Sequence, residues 1–142
     1  MLVRCLYASR SKGPIRGAIQ DSILETSRRN NPAHGITGIL CVCHTGNIFI
    51  QVLEGGRDQV GDLLTAIMRD ERHEHVRILT YAEIGERKFY SWTMGQVDMA
   101  KINPGLLLKY HERAVLDPFS ATGEATMALL DELVASGSII SR

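Results

Sequence analysis

No excess of either charge marks this chain: 16 Lys and Arg balance 16 Asp and Glu over 142 residues. That balance gives no reason to expect a nucleic-acid backbone or an anionic membrane as partner. Cysteine is scarce. Cys5, Cys41 and Cys43 are odd in number and sit in apolar strand-like runs, which speaks against a disulfide framework and for small core residues. Cys41 and Cys43 alternate onto one strand face, yet a metal site usually draws such a pair from a turn and needs two more ligands. No uninterrupted apolar stretch approaches the roughly 18 residues of a membrane span. Met1-Leu2-Val3-Arg4 enters a strand-like segment without an apolar leader, so a cytoplasmic location is expected. Missing as well are a nucleophile with a base at reach, a pair of acid and base carboxylates, and a phosphate loop. Gly55-Gly56 precedes a helix but brings no lysine, and no enzymatic activity is expected. His73-Glu74-His75 falls in an expected loop without further ligands at metal spacing.

What is present reads as one domain, without repeats or low-complexity segments. Leu2 to Ala8 alternates Leu2, Arg4 and Leu6 against Val3, Cys5 and Tyr7, as a strand does. Pro14 suits the first turn of a helix to about Arg29, with Ile15, Ala18, Ile19, Ser22 and Ile23 on adjoining positions, stopped at Asn30-Asn31-Pro32. Residues 35–43 and 48–54 predict two strands in a hairpin around His44-Thr45-Gly46-Asn47. Val60, Leu63, Leu64, Ile67 and Met68 recur at helical spacing up to Arg69 or Asp70. Val76 to Ile84 and Phe89 to Val97 predict two more strands, joined by Gly85-Glu86-Arg87-Lys88. The order β-α-β-β-α-β-β predicts an α+β, ferredoxin-like sheet with two helices on one face. Two tail helices, one from an Asn103 cap to Tyr110 and one from Gly123 to Val134, have the apolar residues to cover the other face.

Within this frame Gln51 is the anomaly. It interrupts Ile48-Phe49-Ile50-Gln51-Val52-Leu53, where alternation puts Gln51 with Phe49 and Leu53, and Ile48, Ile50 and Val52 opposite. Both faces read as buried. Leaving part of a buried amide unpaired costs about 1–3 kcal/mol, so a core group or a ligand has to answer it. Tyr7, Asn30, Asn31, Arg72, His73, Trp92 and Met94 fall where they can meet Gln51 around one cavity beneath the helices.

Five ordered segments carry a specific likeness: Arg4-Cys5-Leu6-Tyr7, Asn30 to Gly38, Phe49 to Gly55, Asp70-Glu71-Arg72-His73 and Phe89 to Met94. Together they resemble the BLUF family of flavin-binding blue-light sensors over residues 1 to about 97. The resemblance implies a sensor domain over 1–97, with 98–142 as a helical extension of the same domain. It implies a flavin, FAD or alternatively FMN, between the two helices. Asn31 then serves the flavin's polar pyrimidine edge, with Asn30, Arg72 and His73 nearby, and Ile23 and Ile36 flank its apolar part. Such an edge presents two carbonyl acceptors around one N–H donor, which an amide and a guanidinium can satisfy.

The resemblance further implies that Tyr7 and Gln51 are the photochemical pair. Light drives an electron and then a proton from the tyrosine, and recombination leaves the glutamine rearranged by rotation or tautomerism. No covalent adduct forms, the flavin spectrum shifts slightly red, and it reverts in darkness. One hydrogen bond is worth about 1 kcal/mol, whereas a near-complete switch needs roughly 5.5 kcal/mol, so a buried network has to amplify it. Trp92 and Met94, expected on one face of the fifth strand, are the relay toward the tail helices. The output is an effector protein in trans, and a homodimer or larger assembly is expected. A ferredoxin-like ligand-binding or dimerisation module, and a small flavin redox enzyme, are the competing readings.

Overall fold

In the computed structural model, which describes residues 1–15, 17–97, 99, 102–137 and 139–141, strands and helices alternate as the periodicity implies. The elements are β1 (Leu2–Ser11), α1 (Gly17–His34), β2 (Thr37–Cys43), β3 (Ile48–Gly56), α2 (Arg57–Arg69), β4 (His73–Ile84), β5 (Gly95–Val97), α3 (Pro104–Tyr110), α4 (Gly123–Ala135) and β6 (Ile139–Ser141). One sheet runs in the order β4-β1-β3-β2-β5-β6. Its first four strands are antiparallel neighbours in the ferredoxin-like order, and β5 adds parallel to β2. The short β6, which the sequence did not suggest, pairs with β5.

Burial on both faces of β3 is what makes the sheet a partition. On one side Val3, Cys5, Tyr7, Phe49 and Leu53 pack with Ile23 and Leu24 of α1 and Val60 and Leu64 of α2. On the other, Leu6, Ile39, Ile48, Ile50 and Val52 pack with Leu116, Leu129, Leu130 and Leu133 from the tail. The three α4 leucines are essentially inaccessible, and burying such a side chain contributes about 1.5–3 kcal/mol. Both tail helices start on side-chain caps: Asn103 Oδ1 accepts from the Gly105 N–H at 2.6 Å, and Thr122 Oγ1 from the Ala125 N–H at 3.0 Å.

Four expectations need correction. The first helix starts at Gly17, not Pro14, because the preceding stretch is tied to the β2–β3 turn: the Ile15 N–H donates to Asn47 Oδ1 at 3.1 Å. It also passes through Asn30-Asn31-Pro32 to His34, since Pro32 in the last turn removes only one helical bond. The stop comes from Gly35 at φ 66°, with Gly35 N–H on Pro32 O at 3.3 Å and Ile36 N–H on Asn31 O at 2.9 Å. Ala18 and Ile19 lie outside the described side chains. Second, β4 begins at His73, so His73-Glu74-His75 is strand rather than loop, with a bulge that sets His75 at φ 51°.

Third, the fifth strand covers only Gly95–Val97 instead of Phe89–Val97. The amides that would have begun its ladder are taken elsewhere: Phe89 N–H donates to Glu54 Oε1 at 2.7 Å and Lys88 N–H to Glu54 Oε2 at 3.0 Å. Residues 89–94 therefore turn, and alternation no longer governs them. Trp92 and Met94 consequently do not share a face: Met94 joins the core beneath α1 and α2, while Trp92 stacks on Phe89 at 5.7 Å on the tail side. Fourth, Met68, expected in the apolar stripe of α2, is half exposed.

Close approach of β2 to β3 requires a glycine at Gly38. A Cβ there would lie 1.9 Å from the Val52 carbonyl oxygen. Gly38→Ala is expected to destabilise the protein by about 3 kcal/mol through forced separation of the hairpin, read as a lower urea midpoint at unchanged m-value. A midpoint equal to the parent's contradicts this packing.

Candidate functional site

Antiparallel pairing of β1 with β3 sets Tyr7 directly across from Gln51, on the helix side of the sheet. Tyr7 Oη donates to Gln51 Oε1, and Gln51 Nε2 donates to Met94 Sδ at 3.2 Å. Tyr7, Gln51 and Met94 are all buried. The orientation of the amide follows from its neighbours' chemistry. Burial, reinforced by Cys5 and Asp70, pushes the Tyr7 phenol well above its ordinary range, so it keeps its proton and donates. A thioether only accepts; the NH₂ end of the amide therefore faces Met94, and the reversed amide would set two acceptors against each other.

Tyr7 and Gln51, backed by Met94, close the floor of a cleft between α1 and α2. A cavity of about 170 Å³ opens over Tyr7, Gln51, Ile23 and Asn30, and another of about 280 Å³ over Asn30, Asn31, Ile36 and Gln59. Both are bordered by Asn30, Leu63 and Ala66, so they are two ends of one cleft, jointly within the usual size range of small-molecule sites. The lining is amphipathic. Ile23, Ile36, Leu63, Ala66 and Ile67 give apolar surface, and Asn30, Asn31, Gln51, Asp70, Arg72 and His73 give polar groups. That mixture fits a flat, fused-ring ligand with one polar edge, and it fits a flavin ring.

Of the residues expected at the site, Tyr7, Ile23, Asn30, Asn31, Ile36, Gln51, Arg72 and His73 border the cleft, and Met94 supports Gln51 from below. Trp92 is separated from Gln51 by the sheet. Asn31 is buried in the last turn of α1, and its Nδ2 donates to the Thr93 carbonyl at 3.3 Å. Arg72 is held by Asp70 in a fork, Nε to Oδ2 at 3.0 Å and Nη2 to Oδ2 at 2.6 Å, while Nη1 reaches Ser22 Oγ at 2.9 Å. His73 Nδ1 pairs with Ser9 Oγ at 2.8 Å and its ring packs 5.0 Å from Phe49.

Hydrogen bonding to Arg72 holds the Asp70 carboxyl below its ordinary range, and burial holds His73 below its own. Both shifts are depressions, so in each case the unfolded chain takes up the proton more readily and stability rises with pH across that window. For His73 the contribution is complete above pH 6.5 and is lost as pH falls through the lowered folded value; for Asp70 it is complete above pH 3.8. The urea midpoint is expected to fall between pH 7 and pH 5, and His73→Gln, which keeps a polar partner for Ser9, is expected to flatten that slope. An equal slope in both proteins contradicts the assignment.

Three further contributors are not among the residues singled out from the sequence. Glu54, completely buried, accepts from Arg4 Nε at 2.8 Å as well as from the two amides of the 88–89 turn. Its signal was the charge pair on facing strands, since Arg4 sits opposite Glu54 in the β1–β3 register. Ser9 answers His73, a partnership visible only once β1 and β4 are paired. Arg28 of α1 donates from Nη2 to the Met94 carbonyl at 3.1 Å.

Comparison with known proteins bears on the family and the fold. The BLUF family, described as sensors of blue-light using FAD, matches residues 2–95. Photoactivated adenylate cyclase subunit beta of Euglena gracilis is 34% identical over 94 residues, which are 66% of this chain and only 11% of that protein. The solved photo-activated state of BlsA superposes with a TM-score of 0.82 at 30% identity, over 94% of this chain and 95% of the other. BlrB, a BLUF protein solved in its dark state, gives 0.74 at 28% identity, over 96% of each chain.

Proposed function

Because this chain belongs to the BLUF family of blue-light sensors that use FAD, we propose that Tyr7 and Gln51 are its photochemical pair and that Met94 registers their rearrangement. The observation that carries the proposal is the buried chain Tyr7 Oη to Gln51 Oε1, Gln51 Nε2 to Met94 Sδ, at the floor of the α1–α2 cleft. When bound, FAD supplies absorption of blue light and an excited state that is a strong oxidant. Asn30, which borders both ends of the cleft, and Asn31, at one of them, offer amides to its polar edge, Arg72 and His73 border the other end, and Ile23 and Ile36 flank the ring.

Tyr7 is the electron donor of the site. Removal of an electron makes the phenol strongly acidic, and the proton held at Oη has an acceptor in place, Gln51 Oε1. Return of the electron and the proton to Tyr7 with the amide turned over leaves Nε2 where Oε1 stood, which withdraws the donor from Met94 Sδ. In a buried network that exchange weighs fully, because water is not there to replace the lost bond. Residues 98–142 act as an extension of the same domain; Leu129, Leu130 and Leu133 complete a core with Leu6, Ile39 and Ile50.

The signal leaves through contacts with an effector protein in trans, without an enzymatic step in this chain. Among the described residues no helix is long and apolar enough to cross a membrane. Free Cys5, Cys41 and Cys43 suit the reducing cytoplasm. Half-exposed Ile78 and Tyr81 on the edge strand β4 favour a homodimer or larger assembly. The test is direct: the purified protein carries FAD, and blue light shifts its absorption slightly red, reversibly in darkness. A colourless protein that does not take up added FAD would instead be a ferredoxin-like binding or dimerisation module.

A further inference from the structure

Residues 92–94 have left the strand ladder, and their backbone carbonyls need donors from elsewhere. Three different groups supply them. Trp92 O accepts from the Gly38 N–H of β2 at 3.1 Å, Thr93 O from Asn31 Nδ2 at 3.3 Å, and Met94 O from Arg28 Nη2 at 3.1 Å. Two of the three donors are side chains of α1. Met94 is thereby held at both ends, its Sδ by Gln51 and its carbonyl by Arg28. The next residue, Gly95, opens β5 and pairs with Ile39, and a Cβ on it would meet the Trp92 ring at 3.1 Å, so a shift of Met94 has no slack before it reaches the sheet.

From this geometry we infer that Arg28 is a positioning residue that holds the 93–94 segment in its dark arrangement and so sets the lifetime of the light-adapted state. The inference rests on the Tyr7–Gln51 reading above, which takes the bonds from Tyr7 Oη to Gln51 Oε1 and from Gln51 Nε2 to Met94 Sδ as the dark arrangement. When the amide turns over, Oε1 faces Met94 Sδ, two acceptors with no proton between them, and the thioether has to withdraw. Arg28 opposes the accompanying backbone movement, because the Met94 carbonyl would exchange a charge-assisted bond for none. The clamp thus favours the dark arrangement and speeds the return to it. Asn31, which shares the task at Thr93, also borders the cleft, whereas Arg28 is absent from its lining; this makes Arg28 the cleaner probe.

Arg28→Ala is expected to keep the flavin, its dark spectrum and the full red shift, and to lengthen the half-life of dark recovery by about tenfold, the weight of one hydrogen bond to a charged group. Arg28→Lys, which keeps a cation within reach, is expected to recover part of the parental rate, and it carries the kinetic test where the alanine variant does not fold. A second readout needs no photochemistry: in darkness, amide exchange of residues 95–97 is expected to rise in Arg28→Ala over the parent. A recovery half-life within twofold of the parent or shorter, or unchanged exchange at 95–97, overturns the inference. A parent protein that binds FAD without any red shift overturns the photochemical reading instead, and the dark exchange comparison still decides the clamp.

Discussion

Gln51→Leu is expected to bind FAD and to show no light-induced red shift at all. Leucine preserves the volume of the side chain and its place between Phe49 and Leu53 in the core, so the cleft keeps its shape. What it removes is the group that accepts the Tyr7 proton and donates to Met94 Sδ. Tyr7→Phe removes the other half of the pair, and the expected result is the same: flavin retained, shift lost. The two variants differ in stability. Leucine at 51 leaves a buried phenol without its acceptor and is expected to cost about 1–3 kcal/mol, whereas phenylalanine at 7 leaves an amide still bonded through Nε2 and costs less. Light-minus-dark difference spectra and urea titration of both proteins provide the measurement. A parental photocycle in Tyr7→Phe would falsify the donor assignment.

The largest loss of stability is expected outside the photochemical pair, at Glu54. Its carboxylate is completely buried and answers three donors: the Arg4 guanidinium and the amides of Lys88 and Phe89. Replacement by alanine strands a largely buried cation and two backbone N–H groups. Breaking such a pair from one side costs about 3–5 kcal/mol, because the remaining charge is left uncompensated. Glu54→Gln keeps an acceptor oxygen for one of the amides and is expected to cost clearly less. A urea-derived loss below about 1 kcal/mol in Glu54→Ala would mean that water reaches Arg4 freely and that the 88–89 turn is held by other bonds. In the flavin-loaded protein the same variant is expected to loosen residues 89–94, and with them the bond from Gln51 to Met94.

Much of the site was legible in the chain because it depends on period and type. Alternation in the first and third strands placed Tyr7 and Gln51 on inner faces, and the polar interruption of an apolar run marked Gln51 as a group requiring a partner. The apolar spacing of α2 and the capped tail helices likewise anticipated both layers over the sheet. Boundaries were less legible where a remote residue decided them. Asn31-Pro32 reads as a stop, yet the helix ends only where Gly35 can adopt a positive φ. Phe89 to Val97 reads as a strand, yet most of it turns because a carboxylate 35 residues earlier captures the Phe89 amide.

That last case divides the two sources of information. By itself the sequence determined which residue types had to be buried, and that an amide and a phenol would be available beneath two helices, since period and polarity are local properties. Only the tertiary structure decided that Tyr7 stands opposite Gln51, that Met94 turns inward while Trp92 turns to the tail side, and that Arg28 reaches the Met94 carbonyl. The reason is physical. Register and the satisfaction of backbone hydrogen bonds are settled by partners distant in the chain, and no local pattern encodes which donor will reach an acceptor first.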